Sequence, residues 1–92
     1  MSPSQRTVTI ASSVGLHARP AALFVQAATA TGLPVQISKV GDEPVDARSI
    51  LGVMALGAKF GEEVVLTADG EGAEAALDGL AELLSRDLDA QE

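Results

Sequence analysis

A chain of 92 residues with a formal charge of −7 and 47% hydrophobic residues has room for one domain, spanning 1–92, and enough aliphatic side chains to fill its core. Thirteen acidic residues against six basic ones, with two Phe and no Trp or Tyr, provide neither a basic stripe nor stacking platforms, which argues against nucleic-acid binding. Without cysteine there are no disulfides or thiolate metal sites, and a lone histidine leaves no ligand set for a transition metal, so neither a metal nor a cofactor is expected.

The opening Met1-Ser2-Pro3-Ser4-Gln5 is polar with no apolar signal segment behind it, and no stretch approaches the ~20 apolar residues of a membrane span. A cytoplasmic, monomeric protein without membrane insertion is expected. Residues 6–11 alternate, Val8 and Ile10 on one face and Thr7 and Thr9 on the other, which predicts a half-buried strand. A loop follows over 12–15. Over 19–30 the period changes: Ala21, Phe24, Val25 and Ala28 fall on one helical stripe, and Pro20 fits the first turn. Gly32 and Pro34 end that helix.

Period two resumes over 34–40, with Val35 and Ile37 inward and Lys39 breaking the pattern near the surface. Gly41-Asp42 predicts a hairpin turn, so 43–47 should return as a short strand carrying Val45 inward. A brief helix over 49–56 carries Ile50, Val53 and Met54 and stops at Gly57. The run 62–68 is the most strand-like, with Val64 and Leu66 inward, and Asp69-Gly70 turns the chain. From Gly72 onward Ala73, Ala76, Leu77, Leu80, Leu83 and Leu84 mark a final helix. Glu71, Glu74, Asp78 and Glu82 line its other side, and Glu82 is spaced to pair with Arg86. Residues 87–92 should fray. The order β-α-β-β-α-β-α, with strands that leave one face in water, predicts an α+β two-layer sandwich with its helices packed together.

Gly15-Leu16-His17-Ala18-Arg19-Pro20 holds the only histidine, where an extended run gives way to an amphipathic helix. A helix start offers unpaired N–H groups and a partial positive charge, which favour a neutral, nucleophilic ring and cradle a phosphate attached to it. Arg19 can add a guanidinium to that phosphate, and Gly15, lacking a side chain, leaves room for a phosphoryl donor. Ala18 and Pro20 complete the supporting helix start. No Ser-His-Asp ordering and no second strong base lies nearby, so the arrangement suits a group that accepts phosphate and passes it on. The competing interpretation is a histidine that caps the helix or packs under the loop, with Arg19 a solvated surface charge.

The run from Gly15 to Ala21 resembles the active-site motif of the HPr family, the histidine phosphocarriers of the bacterial sugar phosphotransferase system. Arg48-Ser49-Ile50-Leu51-Gly52-Val53-Met54-Ala55-Leu56-Gly57 is similar to that family's regulatory serine region, and length and element order agree over nearly the whole chain. The resemblance implies an open-faced sandwich: a four-stranded antiparallel sheet in the order 1-4-2-3 with three helices on one face. It implies that His17 takes a phosphoryl group on Nδ1 from enzyme I, itself charged by phosphoenolpyruvate, and gives it to the A domain of a sugar-specific enzyme II. Arg19 matches the arginine that assists, and the whole is a phosphocarrier rather than an enzyme.

Ser49 suits an N-cap, although Gly52 stands where a capping box has Glu or Gln. The resemblance adds regulatory phosphorylation of Ser49 by an HPr kinase/phosphorylase. The brief helix cannot bury every apolar residue it carries, so Ile50 or Val53 is assigned to the core and Leu51 with Met54 to a partner surface. Val14 stands where the family often has Ser or Asn, and Gln26 and Thr29 replace lysines found in some members, which shifts partner pairing toward the apolar patch. Two alternatives remain: a paralogous carrier in a nitrogen-related regulatory relay, and a regulatory binding module that carries no phosphate, which His17 opposes.

Overall fold

In the computed structural model, which describes residues 3–86, seven elements follow in the order β1 (Ser4–Thr9), α1 (Ala18–Ala30), β2 (Val35–Lys39), β3 (Val45–Asp46), α2 (Ile50–Ala55), β4 (Glu63–Ala68) and α3 (Ala73–Leu84). The strands form one antiparallel sheet in the order β1-β4-β2-β3. β4 sits in the middle, Leu66 lying opposite Arg6 on one side and Ile37 on the other. The three helices cover one face, α3 against β1 and β4, and α1 against α2 and α3. This is the α+β open-faced sandwich that was expected.

Alternation explains the sheet's two faces. Val35, Ile37, Val64, Leu66 and Ala68 are buried beneath the helices, while Gln5, Thr7, Thr9, Gln36 and Glu63 are exposed. Phe24 and Ala28 from α1, Val53 from α2, and Leu77, Leu80 and Leu84 from α3 close the core from above. Fully burying side chains such as Phe24, Ile37 and Leu66 contributes about 1.5–3 kcal/mol each relative to leaving them exposed.

All four strands depart from the expected bounds, β2 and β4 by no more than one residue at an end and β1 and β3 by up to two, the larger departures each for a local reason. β1 begins at Ser4 rather than Arg6 and ends before Ile10, because the inward row includes a polar residue that apolar periodicity cannot register. Arg6 lies on that row, and its Nε donates to Asp78 Oδ1 of α3 at 2.7 Å, closing the sandwich edge with an ion pair. Ile10, just past the strand, is buried and its N–H donates to the Glu62 carbonyl. β3 is shorter than the expected 43–47, pairing only through Gln36–Asp46 and Ile37–Val45. Asp42 N–H donates to Lys39 O at 2.9 Å, so the turn centres on Val40-Gly41, with Gly41 at φ +91°. Pro44 then brings no N–H with which to extend the ladder. Residues 87–92, expected to fray, lie outside those described.

Among the described residues no helix is long and apolar enough to cross a membrane, and no group of His, Asp and Glu side chains is placed to hold a metal ion.

Candidate functional site

The loop between β1 and α1 is pinned at both ends, and its middle faces outward. Leu16 and Pro20 are buried, while His17, Ala18 and Arg19 between them are exposed. The inward side chains thus hold a three-residue arch carrying the imidazole and the guanidinium at the start of α1. The backbone locks it further: Gly15 N–H donates to Ser12 O at 2.9 Å, and Leu16 N–H donates to Ala58 O at 2.8 Å, in the segment between α2 and β4.

Gly15 has a different role from the one expected. It is buried, its φ is +75°, and a β-carbon there would lie 2.5 Å from Ala58 O and 3.0 Å from Lys59 Cα. The missing side chain therefore admits the 58–59 backbone rather than an incoming phosphoryl donor. Ala18 has φ +52°, the only positive value at a non-glycine among the described residues. A β-carbon in that left-handed region costs on the order of 1–2 kcal/mol, so strained backbone adjoins the histidine.

His17 is the N-cap residue of α1 by position, with extended backbone at φ −144° and ψ 156°, but its side chain makes no capping hydrogen bond. Being exposed, it is not packed under the loop either, so both bland interpretations of this histidine fail. The first turn of α1 contains no acidic residue, which leaves the positive end of the helix dipole uncompensated there. A helix supplies no internal partners for the N–H groups of its first turn, and Pro20 contributes none of them. An anion attached to the His17 ring would meet that end of the helix.

Ser12 lies deeper in the same loop, 3% exposed, and its Oγ has no hydrogen-bond partner among the described residues. Removing an unpartnered buried hydroxyl forfeits nothing. Ser12→Ala should leave stability unchanged or raise it by up to about 1 kcal/mol in denaturant unfolding, and a clear loss would show that the hydroxyl is bonded.

The second motif region lies on α2. Ser49 is its exposed N-cap, and its Oγ accepts from Gly52 N–H at 3.1 Å. Just before it, Arg48 N–H donates to Asp46 Oδ1 at 2.9 Å and Arg48 Nε reaches the same oxygen at 3.2 Å. The backbone N–H first, and the guanidinium second, hold the Asp46 carboxyl below its ordinary 3.8. Because the folded value is the lower one, the contribution of this turn is complete above the unfolded pKa and disappears as pH falls through the folded value. Arg48→Ala should move the Asp46 titration upward by carboxyl-carbon NMR, though not all the way to 3.8, since the backbone donor remains.

On α2, Val53 is the residue the core takes, whereas Ile50 is 38% exposed. Leu51 is 79% exposed, while Met54 is half-buried against the core and offers only part of its surface. Val14 and Phe60 are also exposed, and Phe60 escaped notice because it stands in a loop, between Lys59 and Gly61, where no period applies. A shallow groove between α1 and α3, floored by Ala27, Ala30, Ala76 and Gly79, holds none of these residues.

Comparison with known proteins places these features in one family. The family model described as "PTS HPr component phosphorylation site" matches residues 4–86. The phosphocarrier protein HPr of Streptomyces coelicolor is 55% identical over 94% of this chain and 92% of its own length. The HPr-like protein Crh of Bacillus subtilis is 42% identical over 91% of this chain and 98% of its own. Among solved structures, the phosphocarrier protein HPr of Bacillus anthracis superposes with a TM-score of 0.85 at 39% identity, covering 91% of this chain and 99% of that one.

Proposed function

The chain belongs to the HPr family of phosphocarrier proteins, and on that premise we propose that His17 is the phosphoryl acceptor, charged by enzyme I and discharged to enzyme II A domains in the cytoplasm. The observation that carries this reading is the presentation of His17: exposed, uncapped, at the start of α1, and held out between buried Leu16 and Pro20. In the transfer a ring-nitrogen lone pair forms the new N–P bond as the bond between phosphorus and the donor group on enzyme I breaks. The positive end of α1 and the Arg19 guanidinium stabilise the charge on the phosphoryl oxygens. Transfer onward is the same step with donor and acceptor exchanged, so the chain is a phosphorylated intermediate and turns over no substrate of its own.

Leu51 and the accessible part of Met54 contribute apolar docking area. Ser49 is an exposed hydroxyl at a helix start, where an added phosphate is electrostatically tolerated, which supports its role as a substrate for HPr kinase/phosphorylase. The non-carrier alternative is disfavoured because the histidine is present and accessible.

Incubation with phosphoenolpyruvate and enzyme I should place acid-labile, base-stable phosphate on the chain, and adding an enzyme II A domain should remove it. Phosphate that never appears, or that cannot be passed on, would rule this function out.

A further inference from the structure

The turn from which the His17 arch hangs is itself held by one carboxylate. Glu62 N–H donates to Lys59 O at 3.0 Å, closing a four-residue turn. Gly61, at φ +87°, takes its third position, where a side chain would be strained. The Glu62 side chain returns to the same residue: its Oε1 accepts from Lys59 N–H at 2.8 Å. Residue 62 thus clasps residue 59 through backbone and side chain together. Asp42 and Glu63 lie on the same surface around Gly61, but neither side chain makes a hydrogen bond among the described residues. Lys39 Nζ stands 4.0 Å from Glu62 Oε1, a partly exposed pair that contributes little.

The hydrogen bond that Glu62 accepts comes from the peptide that pins the site. A peptide group is planar, so Ala58 C=O and Lys59 N–H are opposite ends of one rigid unit. At one end the carbonyl receives Leu16 N–H at 2.8 Å, and at the other the N–H donates to Glu62 Oε1. His17 follows Leu16 directly. An ionised acceptor on the N–H both fixes the tilt of the plane and polarises the carbonyl, strengthening its bond to Leu16. The turn also holds the other end of the loop, since Gly61 N–H donates to Ile10 O and Ile10 N–H to Glu62 O, both at 2.9 Å. Gly15 packs against Lys59 Cα between these two attachments.

The geometry points to Glu62 as a positioning residue for phosphoryl transfer: its carboxylate orients the 58–59 peptide, and that peptide's bond to Leu16 sets where the His17 ring stands. The role rests on the phosphocarrier reading of His17. Glu62 reaches the reacting ring only through Leu16, and exposed Leu51 on α2 is no part of this chain of bonds. Its loss should therefore tell on the chemical step rather than on docking.

The test is steady-state phosphorylation by enzyme I with phosphoenolpyruvate, using the wild-type chain, Glu62→Ala, Glu62→Gln and Glu63→Ala. Glu62→Ala should lower kcat about five-fold while the KM for the chain stays within about two-fold. Glu62→Gln, whose amide oxygen can still accept from Lys59 N–H, should recover most of that loss. Glu63→Ala removes an equal charge one residue away and should match the wild type. A second measurement needs no partner: the Leu16 amide proton should exchange with solvent at least about three-fold faster in Glu62→Ala than in the wild type. With the wild type phosphorylated normally, an unchanged kcat in Glu62→Ala, a Glu62→Gln no better than Glu62→Ala, a Glu63→Ala equally slow, or an unmoved Leu16 amide would overturn the positioning role alone. A wild-type chain that takes no phosphate from enzyme I would overturn the reading of His17 and that role with it.

Discussion

His17→Ala should reduce phosphate uptake from enzyme I to the level of a blank, with the thermal midpoint within about 3 °C of the parent. Uptake is lost because no other imidazole exists in the chain to form the N–P bond. The fold is spared because the ring is exposed and makes no capping bond, so truncating it opens no cavity and orphans no backbone donor. His17→Asn provides a second arm: it restores a good N-cap side chain without a phosphoryl acceptor, and should be at least as stable as the alanine variant yet equally inert. Unfolding of His17→Ala, checked by circular dichroism, would mean that the residue is structural. Retained uptake would mean that another group is the acceptor.

Gly15→Ala should damage both stability and transfer, although its side chain would never reach a phosphate. Positive φ alone costs a β-carbon-bearing residue roughly 1–2 kcal/mol. The new methyl would also lie 2.5 Å from Ala58 O, so the 58–59 backbone must retreat and the Leu16–Ala58 hydrogen bond stretches or breaks, for about another 1 kcal/mol or more. A total of about 2–4 kcal/mol is expected in denaturant unfolding. Gly32→Ala is the control: its φ is +72°, but nothing lies within 4 Å of the added carbon, so only the conformational part applies. The difference between the two variants isolates the close approach. Transfer should slow in Gly15→Ala even where the chain is folded, because the arch bearing His17 hangs from that contact. Equal losses in the two variants would show that the contact is unimportant.

Most of the architecture could be read from periodicity, because Val64 and Leu66 alternate cleanly and Leu77, Leu80 and Leu84 recur at helical spacing. Strand order is a different kind of information. Which edge β4 pairs with depends on contacts between distant segments, and only the family resemblance supplied 1-4-2-3. The boundary differences trace to polar exceptions: Arg6 faces inward because Asp78 awaits it, and Pro44 ends the β3 ladder early. At the site, the presence of Gly15 was legible but its reason was not, since the Ala58 carbonyl that excludes a side chain is over forty residues away in sequence. Phe60 shows the same blindness. Whether a loop aromatic folds inward or stays in water follows from neighbours that pairwise spacing does not reveal.

The account turns on one ring nitrogen. The direct test is nitrogen-15 NMR of the lone imidazole before and after charging with phosphoenolpyruvate and enzyme I. The expected spectrum has one phosphoryl group per chain bonded to Nδ1 of His17, with coupling to phosphorus. A chain that takes up phosphate while the His17 ring stays unsubstituted, or that takes up none, would contradict it.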